Sequence, residues 1–343
     1  MLLASLVSAG AECNNVFSQT DPSNRDDCLR FYRMLRNDFA KKSIELNTTD
    51  ENRSRGCQVE LHIDARQPPA IGNAYLVLFE TSIVYPPNGD IRRFDGFRKI
   101  FTWDDDLIEA NSRRFIKANY PSNLMANPLD GFAHRNRLCC MIAGNKTVTV
   151  HDQRELYSER INTIRWFERN APNDFDLFGV GWNAPARTQV LSRRIVHKLC
   201  TAFLPPNSQL FSPSYNGAVK TKAETYAGYR FAICYENVRE LRGYITEKIF
   251  DAMCAGCVPV YWGAANVTDY IPADCFIDRR QFSSHEALHA FMKGMTEKDY
   301  LRYQETMRAF LSGAQARPFS AEAFAETVVG GVVGDLQEQG IAF

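Results

Sequence analysis

Strand-length apolar runs, separated by amphipathic stretches, constrain the fold of this chain more than any motif does. VELHI (59–63), AYLVLFE (74–80), RKIFTWD (98–104) and LCCMIAG (138–144) all read as strands. LIEANSRRFIKANY, in the same half, reads as helix. Further on, FDLFGVGWN, YRFAICYEN, VPVYWG and DCFIDR repeat the strand signal. Helices are expected between them, one with apolar positions at 156, 161, 164 and 167 and stopped by Pro172, another at TEKIFDAMCA. Strand and helix in alternation predict parallel, doubly wound α/β layers. Three more helical segments, the last SAEAFAETVVGGVVGDLQEQ, finish the chain.

A chain of 343 residues is long for one core and ordinary for two. The expected division is an α/β domain over 1–150, a second over 151–320, and a C-terminal helix over 321–343 that packs back on the first domain. Hydrophobic residues at 45% and charged residues at 23% fit a globular protein. Lysine plus arginine equals aspartate plus glutamate, 40 against 40, so the sequence carries no electrostatic footprint for nucleic acid. Pairs such as Arg92-Arg93 and Arg193-Arg194 read as solvated faces. No apolar run approaches the roughly 18–20 residues of a membrane span. MLLASLVSAGAEC is mildly apolar but short and without a basic start, and is expected to be an ordinary first segment. Among ten cysteines, Cys254 and Cys257 have CxxC spacing. With no second CxxC and no paired histidines, core packing accounts for them better than zinc does. Sequons at Asn47, Asn52, Asn145 and Asn266 are read as chance matches.

The densest stretch is YENVRELRGYITEKIFDAMCAGCVPVYWG (235–263). Glu236 and Asn237 end a strand, and the loop to Gly243 brings Tyr244, Glu247 and Lys248 to a helix start. Ligands of open α/β sheets sit beyond the carboxyl ends of strands. A helix N-terminus with free N–H groups beside a lysine is suited to an anion such as a phosphate. Glu247 gains from the helix dipole but lies one turn from Asp251, so structure alone explains it poorly. Glu80, at the end of AYLVLFE, should emerge at a sheet edge, where a carboxylate facing a cleft can act as a general base. WDDDL (103–107) imitates a metal-binding DxD, but a turn and helix N-cap explain it better. His134, His151 and His197 are scattered, and GxGxxG, Walker and GxSxG motifs are all missing.

FAICYENVRELRGYITEKIFDAMCAGCVPVYWGAANVTDYIPADCFIDRRQF (231–282) resembles the donor-binding core of glycosyltransferase family 10, the α-1,3/4-fucosyltransferases. The family pattern runs F-E-N, a short spacer, Y-I-T-E-K, A-G-x-V-P-V-Y-x-G and I-P-x-x-x-F-I. Here Tyr235 stands for the phenylalanine and Val238 for a common serine. Weaker similarity extends over about 74–320.

The resemblance implies a GT-B fold, two Rossmann-like α/β domains facing across a cleft, with the acceptor on the N-terminal side and the donor on the C-terminal side. It implies GDP-β-L-fucose as donor, inversion to an α-fucoside, and no obligatory metal or other cofactor. The linkage would be α-1,3 or α-1,4 to a GlcNAc- or Glc-type sugar of a glycan such as lipopolysaccharide. By residue, it puts Asn237, Tyr244, Glu247 and Lys248 on the nucleotide sugar, Arg160 on the donor phosphates and Glu80 in the place of the catalytic base, although Ser82 replaces the family's proline after it. Glu247 would also support the charge that develops on the fucosyl ring. A bacterial-type, cytoplasmic enzyme is expected, meeting membranes only at their periphery through a lipid-linked acceptor; a shortened Golgi-lumen enzyme is the alternative. Two rival functions stay open at this point, a GT-B enzyme with another nucleotide sugar and a non-catalytic glycan- or nucleotide-binding relative.

Overall fold

A computed structural model describes residues 1–125, 128–148, 152–186 and 191–342. His151 lies outside them. Six strands form the first sheet: β1 (Leu2–Val7), β2 (Ile44–Thr48), β3 (Val59–Ile63), β4 (Ala74–Leu78), β5 (Phe97–Thr102) and β6 (Phe115–Lys117). Five form the second: β7 (Arg137–Ile142), β8 (Phe175–Phe178), β9 (Tyr229–Tyr235), β10 (Val258–Trp262) and β11 (Ile277–Asp278). The helices are α1 (Arg30–Ala40), α2 (Thr49–Asn52), α3 (Asp105–Ala110), α4 (Tyr157–Asn170), α5 (Leu191–Phe203), α6 (Lys222–Ala227), α7 (Glu247–Cys254), α8 (His285–Gly294), α9 (Glu297–Leu311) and α10 (Ala321–Glu338).

All pairings in both sheets are parallel. The first sheet runs β2-β1-β3-β4-β5-β6 and the second β11-β10-β9-β7-β8. Each therefore reverses direction once, between β1 and β3 and between β7 and β9. Such reversals open a crevice beyond the carboxyl ends of the strands.

The two-residue period of a strand divides the first core. Tyr75, Val77 and Phe101 face one way, packed with α1 and with Phe324, Val328 and Val332 of α10. Ala74, Leu76, Leu78, Phe97 and Ile100 face the other. Arg98 and Tyr75 fix α10 to this sheet through the buried Asp335. Tyr75 donates its hydroxyl to Asp335 at 2.7 Å, and the Arg98 guanidinium forks over the same carboxylate.

The chain forms two compact units, Met1–Asn123 with Leu241–Glu247 and Arg317–Phe343, and Leu124–Glu240 with Lys248–Ala316. A division near residue 150 therefore differs from the structure, because β7 pairs with β8 and β9 and belongs to the second sheet. LIEANSRRFIKANY is also not one helix. α3 ends at Ala110, Asn111 accepts the Arg114 N–H in a turn, and Phe115 starts edge strand β6. The N-terminal apolar segment is an ordinary strand, β1, hydrogen-bonded on both sides.

Candidate active site

The second unit places its candidate residues where its sheet reverses. β9 ends at Tyr235, so Glu236 and Asn237 leave the sheet beyond its carboxyl edge, beside β7. Arg160 of α4 is buried beneath them. Its Nη2 donates to the carbonyls of Tyr235 and Glu236 at 2.7 Å each and to Asn237 Oδ1 at 3.0 Å. The Asn237 carbonyl accepts the Leu156 N–H at 3.0 Å, so both ends of this residue are fixed by the α4 region. Orienting the amide oxygen toward a guanidinium leaves the amide NH₂ directed elsewhere.

Glu236 is completely buried, and the Lys248 ammonium lies 3.3 Å from its Oε2. Lys248 comes from the first turn of α7. A buried carboxylate requires such a partner, since an isolated charge in this position would be strongly disfavoured. Gly263 permits the arrangement. A Cβ there would fall 2.5 Å from Glu236 Cγ and 2.3 Å from the Tyr261 hydroxyl.

In the first unit, Glu80 follows β4 and is half-buried. Its backbone is held by Asp64, which sits at φ 59° just past β3. Asp64 Oδ1 accepts the N–H groups of Phe79 and Glu80, both at 3.0 Å. Asn88 completes the clamp, donating to Asp64 Oδ1 and to the Glu80 carbonyl at 2.8 Å each. Glu80 thus stands on a fixed backbone beyond the carboxyl end of β4, one strand from the reversal between β1 and β3.

Residues 241–247 also belong to this unit. Gly243 has φ +81°, and a Cβ there would lie 2.2 Å from the Trp103 carbonyl oxygen, so only glycine fits. Arg242 forks over Glu109 at 2.7–2.8 Å and reaches Asp106 at 2.9 Å. Tyr244 is buried against Trp103, with ring centroids 4.7 Å apart. Trp103 in turn donates its indole N–H to the Phe79 carbonyl at 2.9 Å. This one side chain connects the strand end that carries Glu80 to the loop that carries Tyr244. Glu247 opens α7, partly exposed at the helix's first turn.

WDDDL has its own structural work. Asp104 caps α3 by accepting the N–H groups of Asp106 and Leu107, Asp105 pairs with Lys117 at 2.6 Å, and Asp106 takes Arg242. Burial pushes the Asp104 carboxyl up, and burial also pulls the Lys117 ammonium down against the opposing pull of Asp105. The CxxC thiols are protonated packing groups. Burial raises Cys254 to about 11 and Cys257 to about 12, and Cys254 Sγ accepts the Met125 N–H at 3.3 Å. Asn47 and Asn52 are buried and hydrogen-bonded within the first unit, out of reach of glycosylation in the folded chain. The amide of Asn145 donates to the carbonyls of Gly181 and Ala184.

The structure therefore joins Arg160 to Asn237, and Lys248 to Glu236 at the adjoining strand end. It ties Glu80 to Tyr244 through Trp103. Sequence reasoning did not assign Asp64, Asn88, Trp103 or Glu236 to the site. The signal for Glu236 was available, as an acidic residue ending an otherwise apolar strand. Asp64 and Asn88 act through backbone groups and leave no motif.

Residues 208–318 match the family model described as glycosyltransferase family 10 (fucosyltransferase) C-term. An alpha-(1,4)-fucosyltransferase of Arabidopsis thaliana is 37% identical over 87 residues, 25% of this chain and 21% of the relative. Human alpha-(1,3)-fucosyltransferase 7 is 43% identical over 82 residues, 23% of this chain and 24% of the relative. The alpha-(1,3)-fucosyltransferase FucT of Helicobacter pylori is 32% identical over 104 residues, 30% of this chain and 20% of the relative. These matches span between 20% and 24% of the relatives' own lengths. Among solved structures, an alpha1,3-fucosyltransferase with GDP-fucose superimposes with a TM-score of 0.51 at 13% identity, covering 96% of this chain and 90% of the other. An alpha-glucosyltransferase in complex with UDP and DNA gives 0.54 at 10% identity, covering 97% and 99%. At such identities the likeness concerns fold alone, and the fold is GT-B, with two Rossmann-like α/β domains. Over residues 208–318 the chain is thus similar to the C-terminal domain of glycosyltransferase family 10, the fucosyltransferase family, on a GT-B fold.

Proposed function

We propose that this chain is an inverting fucosyltransferase that moves L-fucose from GDP-β-L-fucose to a hydroxyl of a glycan acceptor, forming an α-1,3 or α-1,4 link to a GlcNAc- or Glc-type sugar. The observation that carries this reading is the segment from Glu236 to Lys248. It sets an oriented asparagine and a lysine-bearing helix start at the sheet reversal, in the family's own sequence pattern.

In this reading Glu80 takes the proton of the acceptor hydroxyl. That oxygen attacks the anomeric carbon of fucose from the face opposite GDP, and the bond from that carbon to the β-phosphate oxygen breaks with its electron pair left on GDP. A positioned base of this kind contributes typically 10²–10⁴-fold. The ring passes through an oxocarbenium-like state that Glu247 would stabilise. Lys248, whose ammonium lies against Glu236, would also meet the donor diphosphate. With the α7 N-terminus it would absorb the charge on the leaving group. Arg160, engaged at Nη2 by Asn237 and two carbonyls, would hold the asparagine that meets the sugar nucleotide. Tyr244 would shape the donor side from the Trp103 platform. No metal or other cofactor has a step in this scheme.

Among the described residues no helix is long and apolar enough to cross a membrane. A cytoplasmic setting is the reading supported by ten cysteines without a disulfide. The test is consumption of GDP-fucose beside GDP-mannose and UDP-sugars, with linkage analysis of the product. Turnover with GDP-fucose and an α-linked product is expected. Turnover with another donor only, or binding of GDP without transfer to any acceptor in a glycan screen, would overturn the proposal.

A further inference from the structure

Helix α5 (Leu191–Phe203) exposes a row of large apolar side chains. Ile195, Leu199 and Phe203, spaced four apart and so aligned on one face, are 52%, 52% and 81% exposed. Val196 beside them is 44% exposed. The opposite side is the attached one. There His197 bonds the Pro185 carbonyl through Nδ1 at 2.9 Å, and Cys200 and Leu204 are partly covered. A soluble surface normally scatters its large apolar side chains singly, and a contiguous stripe of them marks a docking surface.

Charge identifies the occupant. Arg194 and Lys198, one turn apart and both exposed, flank the stripe. Between Asp176 and Glu224 the sequence contains no acidic residue at all, although lysine plus arginine and aspartate plus glutamate balance at 40 each over the whole chain. The apolar stripe thus lies in a stretch whose only charged side chains are basic. A single convex helix, apolar on its outer face and basic along one flank, has the form of an element that lies in a lipid–water interface. Its apolar side chains would enter the acyl boundary while the arginine and lysine stems reach the headgroups. A second copy of the chain fits less well, since pairing like helices would bring their basic flanks together.

We propose that α5 is a membrane-surface helix that docks this protein on an anionic lipid bilayer. The inference stands apart from the donor and acceptor assigned above, because none of its residues belongs to the candidate active site.

The test is flotation of the full chain with vesicles of phosphatidylcholine alone and of phosphatidylcholine mixed with phosphatidylglycerol. Binding to the anionic vesicles, weakening as salt rises, is expected. The variants Leu199→Glu/Phe203→Ser and Arg194→Glu/Lys198→Glu should each lower the partition by about tenfold or more. Their urea midpoints should equal that of the parent, because the altered side chains are exposed. No binding of the parent to anionic vesicles at low salt would overturn the proposal. So would undiminished binding by both variants, which would assign the membrane contact to another surface. A change in sedimentation mass on Leu199→Glu/Phe203→Ser with vesicle binding intact would reassign the stripe to self-association.

Discussion

The Lys248 ammonium lies 3.3 Å from Oε2 of the fully buried Glu236, so the lysine that the family pattern places on the donor also neutralises an acid within the fold. The two residues are twelve positions apart, at the end of β9 and the start of α7. With the donor role proposed for Lys248 added to this ion pair, its removal is expected to cost both stability and binding.

Lys248→Met should lower stability by about 2–4 kcal/mol, because it removes the cation beside a buried carboxylate. Adding Glu236→Gln should restore more than half of the loss, while GDP binding stays weak in both variants. Urea unfolding and GDP titration separate these effects. A single variant as stable as the parent would show that the pair does not hold Glu236.

Arg160 is expected to act through Asn237. Asn237→Ala and Arg160→Lys should each weaken GDP-fucose binding by about tenfold, and the double variant should bind no worse than Asn237→Ala alone. Lysine keeps the charge but cannot reproduce the guanidinium geometry. Full additivity in this cycle would instead indicate independent contacts to the donor.

The clamp under Glu80 predicts a division between kcat and KM. Glu80→Gln should reduce transfer by about 10²–10⁴-fold with GDP affinity preserved. Asn88→Ala, which frees the Glu80 carbonyl and one side of Asp64, should lower kcat by about tenfold and leave the donor KM unchanged. A change in donor KM alone would place Asn88 outside base positioning.

Chelation should not affect turnover. Asp104, Asp105 and Asp106 are committed to the α3 cap, Lys117 and Arg242. A full EDTA series should leave the initial rate constant, and a loss restored by magnesium or manganese would contradict this.

Acid stability should depend on Asp335. Burial alone would raise its carboxyl, but the bonds from Arg98 and Tyr75 outweigh it and the net shift is downward. A folded pKa below the unfolded value of about 3.9 gives stability that is present above that value. It is lost as pH falls through the folded value. Asp335→Asn should therefore be about 2 kcal/mol less stable near neutrality and show a flatter decline between pH 5 and pH 2. Urea midpoints measured across that range provide the check.

The α/β class, the strands at 59–63 and 258–262, and helix α7 were legible because each depends on local pattern: apolar runs of strand length, or a helical period closed by glycine. The placement of Asn237 just past a strand end and of Glu247 and Lys248 at the next helix start was legible because these elements are contiguous in the chain. The LIEANSRRFIKANY segment was misread since its apolar spacing suits a helix, whereas a turn at Asn111 and pairing with β5 decide otherwise. The domain division shifted because the partners of β7 lie far along the chain, and no local property of LCCMIAG names them. Tertiary structure alone placed Arg160 under Asn237, Trp103 between Phe79 and Tyr244, and Asp64 with Asn88 under Glu80. Those relations join residues from separate segments, several of them through backbone carbonyls and N–H groups that every residue possesses. The sequence by itself determined which chemical groups the chain carries and the local elements that present them. Only folding decided which groups meet, because hydrogen bonds and ion pairs depend on distance in space and not on separation along the chain.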